Sequence, residues 1–142
     1  MNIATVQTQL RTLHLRTAAG EIEEVLARHK TAASVEWVVE LLTRELDARR
    51  ERSIRRRIEA ADFPEEKTLE VFDWRFNPKI DRSKIEALAS LEFVRDNRIA
   101  LFLGEAGTGK THCALALGLK AAKEGYRVYC ASIKKLVQEI QI

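Results

Sequence analysis

Gly104-Glu105-Ala106-Gly107-Thr108-Gly109-Lys110-Thr111 is the stretch on which the reading of the fold turns. It satisfies G-x-x-x-x-G-K-[ST], the Walker A pattern of a loop that wraps a phosphate chain. The glycines let the backbone curl so that its N–H groups converge on the phosphates, and Glu105 and Ala106 lend main chain rather than side chains. Lys110 has the reach for β- and γ-phosphate oxygens, and the Thr111 hydroxyl is a ligand for Mg²⁺. The run Ile99-Ala100-Leu101-Phe102-Leu103 just before the loop reads as a strand buried on both faces. A helix is predicted from about Gly109 to Glu124, closed by Gly125, and its N-terminal partial charge adds to the pull on an anion. With glycine near 7% of residues, the bare pattern arises by chance in about one chain in a few hundred. The strand before it and the helix after it set aside the alternative, a glycine-rich turn with no ligand. Thr108 and His112 are weaker candidates; His112 stands either at a phosphate or base contact or on a solvent-facing helix surface.

Downstream, Tyr126 to Ala131 reads as a second strand, and Ser132 as the cap of a helix carrying Leu136, Val137 and Ile140. Hydrolysis by such a loop also needs an acidic residue at the end of an apolar strand and a group that orients water. After Thr111 the only acids are Glu124 and Glu139, both on predicted helices. The binding half of a site is therefore expected, with no catalytic residue assigned and ATPase activity left open. A small-molecule kinase is disfavoured, since residues 132–135 offer no acid to hold an acceptor.

Upstream, the first sixty residues read as helix. Ile3, Val6, Leu10 and Leu13 recur at spacings of three and four, and after Gly20 the set Ile22, Val25, Leu26 and His29 repeats them, as a helical hairpin would. Ser34 is the expected cap of a third helix, with Glu36 in its first turn and Val38, Leu41, Leu42, Leu46, Ile54 and Ile58 on its apolar face. That helix would run to about residue 60, roughly 40 Å at 1.5 Å per residue. Its second half carries Arg49, Arg50, Arg52, Arg55, Arg56 and Arg57, a local excess that the net charge of +3 conceals. These arginines suit phosphate contacts on duplex DNA, without the Asn and Gln that read bases. The other reading is a solvated face paired with Glu40, Glu45, Asp47, Glu51 and Glu59.

Both prolines, Pro64 and Pro78, lie in the segment that follows, where Leu69, Val71, Phe72, Trp74 and Phe76 nearly alternate. Residues 62–80 are read as an extended aromatic linker between a helical domain, 1–61, and a nucleotide domain, 81–142. A capping box, Ser83 with Glu86, opens the next helix, which carries Ile85, Leu88 and Leu91. Residues that are 46% hydrophobic and 32% charged, with no apolar run of about 20 residues, argue against a membrane protein. Met1 to Arg16 lacks the apolar core of a secretory signal, so a cytoplasmic chain is expected. Cys113 and Cys130 sit in apolar runs and read as buried, reduced thiols.

Together these residues resemble the IstB-like transposition helper ATPases of bacterial insertion sequences, AAA+ proteins related to DnaC-type helicase loaders. Phe63-Pro64-Glu65-Glu66-Lys67-Thr68-Leu69-Glu70-Val71-Phe72-Asp73-Trp74 is similar to that family's FP-x-x-KTLE-x-FD signature. Leu41 to Arg57 resembles its Glu- and Arg-rich helix, and Gly104 to Gly118 its GPPGTGKTHLALALG segment, with Glu105-Ala106 in place of Pro-Pro. The likeness covers about residues 34 to 140. It implies an α/β P-loop NTPase (AAA+) core, of which this chain holds the N-terminal part, behind an all-α N-terminal domain. It also implies an ATP- and Mg²⁺-binding assembly factor, homo-oligomeric in full-length members, that acts on target DNA and regulates a transposase. Phe72 and Trp74 would lie near the adenine or, on the other reading, simply cover the core. Family members run on through the acidic strand and sensor residues, so the expectation is a truncated chain that binds ATP without hydrolysing it. In the AAA+ sheet order, residues 99–103 and 126–131 are not neighbours, which predicts unpaired edges and a nucleotide half less stable than the helical half. A DnaC-like helicase loader and a non-hydrolysing nucleotide or DNA interaction module are the alternatives.

Overall fold

A computed structural model of the chain describes residues 2–28 and 35–141. Seven helices occur among the described residues: α1 (Ile3–Thr12), α2 (Arg16–Arg28), α3 (Val35–Ala61), α4 (Arg82–Leu88), α5 (Glu92–Arg95), α6 (Lys110–Lys123) and α7 (Ile133–Ile140). The chain divides into two compact units, Met1–Ser53 and Ile54–Ile142, with the division inside α3. No helix among the described residues is long and apolar enough to cross a membrane.

In the first unit, Val6, Leu10 and Ala19 form a buried cluster, flanked by Ile22, Val38, Val39 and Leu42. The Asn2 side chain caps α1 by accepting from the Ala4 amide at 3.1 Å. The hairpin forms with its turn earlier than Gly20. His14 takes a left-handed φ of 63° and its amide closes on the Arg11 carbonyl at 2.9 Å, so the chain reverses there and Gly20 lies inside α2. The expected cap at Ser34 and the position of His29 lie outside the described residues, as do the side chains of Val25, Glu36 and Leu41.

In the second unit α6 is the central element. Cys113, Leu115, Ala116, Leu117, Leu119, Ala121 and Ala122 are all buried on it, and Phe72, Ile85 and Cys113 join Leu69, Trp74, Ile80 and Phe102 in one cluster. Helix α6 starts and stops where the glycines place it: Gly109 is its N-cap at φ 90° and Gly125 follows its end at φ 107°. Ser132 caps α7 as expected, accepting from the Lys135 amide at 3.2 Å. Helix α4 starts one residue before Ser83. Asp81 is its cap, its carboxylate accepting from the Lys84 amide at 3.3 Å and from the Ser83 hydroxyl at 2.6 Å, while Glu86 pairs with Arg82.

Residues 62–80 contain no helix or strand, and they fold into turns instead of extending. Phe72, Phe76 and Ile80 each donate an amide to the carbonyl three residues back. The Asp73 and Asn77 side chains hold two of these turns by accepting from the amides of Arg75 and Lys79. Neither predicted strand has a ladder among the described residues. The 126–131 stretch spends its amides elsewhere: Cys130 donates to Ala61 at 2.7 Å and Tyr126 to Ala121 at 3.0 Å. The backbone of 99–103 makes no hydrogen bond among the described residues. Its side chains alternate all the same, with Phe102 turned to the core while Ile99, Leu101 and Leu103 are 86%, 79% and 89% exposed.

Candidate nucleotide site

Gly107 and Gly109 sit at φ 74° and 90°, a region that side chains with a Cβ rarely enter, so the loop's curl depends on them. Among the described residues no hydrogen bond uses the N–H groups of Ala106 through Thr111. A row of uncommitted amides at the start of a helix is the physical requirement for gathering an anion. The loop braces itself through its acceptors. The Glu105 carbonyl takes the Thr108 hydroxyl at 2.8 Å and also the Lys110 ammonium, which is 3.1 Å from Thr108 Oγ1. Thr108 is thus an internal strut of the loop, and Lys110 is held over it rather than extended into solvent. Thr111 is exposed, and its hydroxyl has no partner among the described residues.

A cavity of about 420 Å³ opens on this loop, lined by Gly107 to His112 on one side and by Val71, Phe72, Asp73 and Phe76 on the other. A second, of about 470 Å³, lies against Leu101 to Glu105, Thr108 to Lys110 and the segment around Lys79. Sequence reasoning left two places for Phe72 and Trp74, near the adenine or as cover for the core. Phe72 does line the first cavity, but Trp74 stands behind it, edge-on at 4.8 Å between ring centroids, with the Arg82 guanidinium 5.1 Å from its own ring. The missed residues are Val71, Asp73 and Phe76. Their near alternation was visible, but the turns that bring them round depend on the carboxylate and amide groups of Asp73 and Asn77, which no periodicity reports.

His112 is committed to the linker. Its Nε2 lies 2.8 Å from the Thr68 carbonyl oxygen, and a carbonyl only accepts, so this nitrogen carries the proton. The ring also meets Phe72 edge-on at 4.9 Å. Glu124 pairs with Lys120 at 2.9 Å and Glu139 accepts from the Tyr129 hydroxyl at 2.6 Å, so each has a partner on its own surface. Both cysteines are free; Cys113 is buried, with its thiol pushed up by desolvation, and Cys130 is half-buried. No group of three or more His, Cys, Asp or Glu among the described residues could hold a metal ion. The Thr111 hydroxyl is the one side-chain donor the loop could offer Mg²⁺, which would fit an ion held mainly by nucleotide phosphates and water.

The candidate arginines differ in their surroundings. Arg49 donates to Glu45 at 2.8 Å and lies 3.5 Å from the Leu13 carbonyl, and Arg52 reaches the same Glu45, whose carboxyl is held below its usual range mainly by the Arg49 hydrogen bond. Arg57 is half-buried and donates from Nε to the Ala122 carbonyl at 2.8 Å, closing the end of α6. Arg50, Arg55 and Arg56 are exposed and have no ion pair among the described residues.

A family model described as IstB-like ATP binding protein matches residues 5–142. The chain belongs to the IstB-like ATP-binding family. It is 35% identical over 134 residues to a Pseudomonas aeruginosa protein named for insertion sequence IS21 and for ATP binding, covering 93% of this chain and 51% of that one. It is 33% identical over 132 residues to the corresponding IS5376 protein of Geobacillus stearothermophilus, covering 91% and 52%, and 31% identical over 136 residues to the IS232 protein of Bacillus thuringiensis subsp. berliner, covering 94% and 54%. The IstB-like chain thus spans about half the length of these curated relatives. The family is one of ATP-binding proteins, and membership supports a P-loop NTPase core.

Proposed function

We propose that this chain holds ATP·Mg²⁺ on Gly104 to Thr111 as part of an IstB-like helper of DNA transposition, which assembles on target DNA and regulates a transposase. The observation that carries the reading is the loop itself: uncommitted amides from Ala106 to Thr111, with the Lys110 ammonium held within the loop by the Glu105 carbonyl, in a chain matched by an ATP-binding family. The triphosphate lies along these amides, Thr111 gives its hydroxyl to Mg²⁺, and the adenine enters the cavity walled by Val71, Phe72 and Phe76. The α/β AAA+ arrangement, a cytoplasmic location, and a helical domain over 1–61 that self-associates and touches DNA belong to the same proposal. Arg50, Arg55 and Arg56 contribute phosphate contacts first, since Arg49, Arg52 and Arg57 are engaged within the protein.

Binding and turnover of ATP·Mg²⁺ by the unaltered chain and by Lys110→Ala test the proposal. Binding without appreciable turnover is expected for the first and neither for the second. Equal binding by the two chains would refute the assignment of the loop.

A further inference from the structure

Two of the chain's glycines sit under phenylalanine rings, and both rings come from the segment that precedes α4. A Cβ on Gly118, in the middle of α6, would stand 3.0 Å from the Phe63 ring. A Cβ on Gly109, at the N-cap of α6, would stand 2.8 and 2.9 Å from two atoms of the Phe72 ring. Between them, His112 Nε2 meets the Thr68 carbonyl at 2.8 Å. The contacts run in opposite order along the two segments: 63 against 118, 68 against 112, 72 against 109. Residues 63–72 therefore form a strap laid antiparallel on α6, ending where the nucleotide loop becomes helix. Of the three contacts only the middle one is directional, and a hydrogen bond to a main-chain carbonyl fixes register in a way that a ring over a glycine does not.

We infer that His112 is a positioning residue that pins the 63–72 strap to α6 and so couples docking of the strap to occupancy of the nucleotide loop. The coupling rests on the nucleotide reading above. It works through Phe72, which is 8% exposed, packs on Gly109 and lines the cavity beside the loop. With the strap docked, Phe72 supports the left-handed turn at Gly109 and closes one wall of the site. With the strap released, both supports are lost. By reciprocity, a nucleotide that binds the docked form more tightly holds the strap down by the same factor. The pin also gives His112 a task other than contact with phosphate.

The test compares His112→Ala with His112→Gln, whose amide retains an N–H donor of similar reach, in the full chain. Two quantities are read: ATP·Mg²⁺ affinity, and hydrogen exchange of strap peptides covering 63–72 with and without ATP·Mg²⁺. For Ala we expect about five- to tenfold weaker binding, the size of one lost hydrogen bond. We also expect fast strap exchange that nucleotide does not slow, while residues 113–123 of α6 stay protected. Gln should restore both affinity and nucleotide-dependent protection. The inference is overturned if Ala keeps parental affinity and protection, or if Gln fails as Ala does with α6 intact. If the unaltered chain binds no ATP·Mg²⁺, the nucleotide reading and the coupling fall together; pinning of the strap is then judged on exchange without nucleotide and fails unless Ala speeds it.

Discussion

Gly109 carries two constraints that act in the same direction. Its φ of 90° disfavours any residue with a Cβ, and the space a Cβ would need is taken by Phe72. Gly109→Ala should therefore destabilise the second unit by roughly 1–3 kcal/mol, as a left-handed non-glycine position does, and should weaken ATP·Mg²⁺ binding more than Gly107→Ala. At Gly107 a Cβ would meet nothing within 4 Å, which leaves only the cost of its φ of 74°. Calorimetry with nucleotide titration checks both variants, and equal losses would show that packing against the ring does not matter. At this scale the sequence was most legible. The tasks proposed for the loop glycines, Lys110 and Thr111 rest on a pattern of eight adjacent residues, and Gly107 and Gly109 take positive φ within it. His112 was not legible, because its partner is a carbonyl 44 residues away and no side-chain identity at Thr68 announces it.

Helices depend on how their ends are satisfied, and α4 shows this through Asp81. The Ser83 hydroxyl, then the Lys84 amide, hold the Asp81 carboxyl below its ordinary value near 4. A carboxyl whose folded pKa is depressed stabilises the fold in full above its unfolded value, and that contribution is lost as pH falls through the folded one. Protection of the Lys84 amide, taken relative to its intrinsic exchange rate at each pH, should thus fall as the solution is acidified below about pH 4, and Asp81→Ala should abolish this loss of protection. The sequence pointed to Ser83 for this role because the capping-box spacing is met there; an acidic residue two positions earlier won by accepting from both groups. Helix α3 gives the parallel case for charge. Reversing Arg50, Arg55 and Arg56 to Glu should lower duplex affinity and reduce the salt slope by about 0.9 for each phosphate that is no longer neutralised, with little change in thermal stability. Arg57→Ala should do the opposite, costing about 1 kcal/mol by removing the bond to the Ala122 carbonyl and leaving the salt slope nearly intact. Binding measured at several salt concentrations, beside melting curves, separates the two kinds of arginine.

Each unit has its own buried cluster, one around Val6, Leu10 and Ala19 and the other around Phe72, Ile85 and Cys113. The chain has one tryptophan in the sequence of each unit, Trp37 in the first and Trp74 in the second. The second unit also carries the unpaired 99–103 backbone, with Ile99, Leu101 and Leu103 largely in solvent, so its core does less than its apolar composition allows. That composition was plain in the sequence. A ladder was not, because pairing is decided by partners distant in the chain, and here two amides of the second candidate strand, those of Tyr126 and Cys130, go to helix ends. Two unfolding transitions are expected, with the nucleotide-bearing unit first. The Trp37→Phe chain, which reports Trp74, should melt at lower temperature than the Trp74→Phe chain, which reports Trp37. ATP·Mg²⁺ binds only folded loop, so at a hundredfold excess over Kd it stabilises that unit by about 2.7 kcal/mol. For a unit of this size the midpoint then rises by on the order of 10 °C. The Trp37 transition should stay where it was, because the loop that takes the nucleotide belongs wholly to the second unit. A single transition seen by both probes and moved together by ATP·Mg²⁺ would show that the two clusters unfold as one cooperative body and would overturn the division of stability between them.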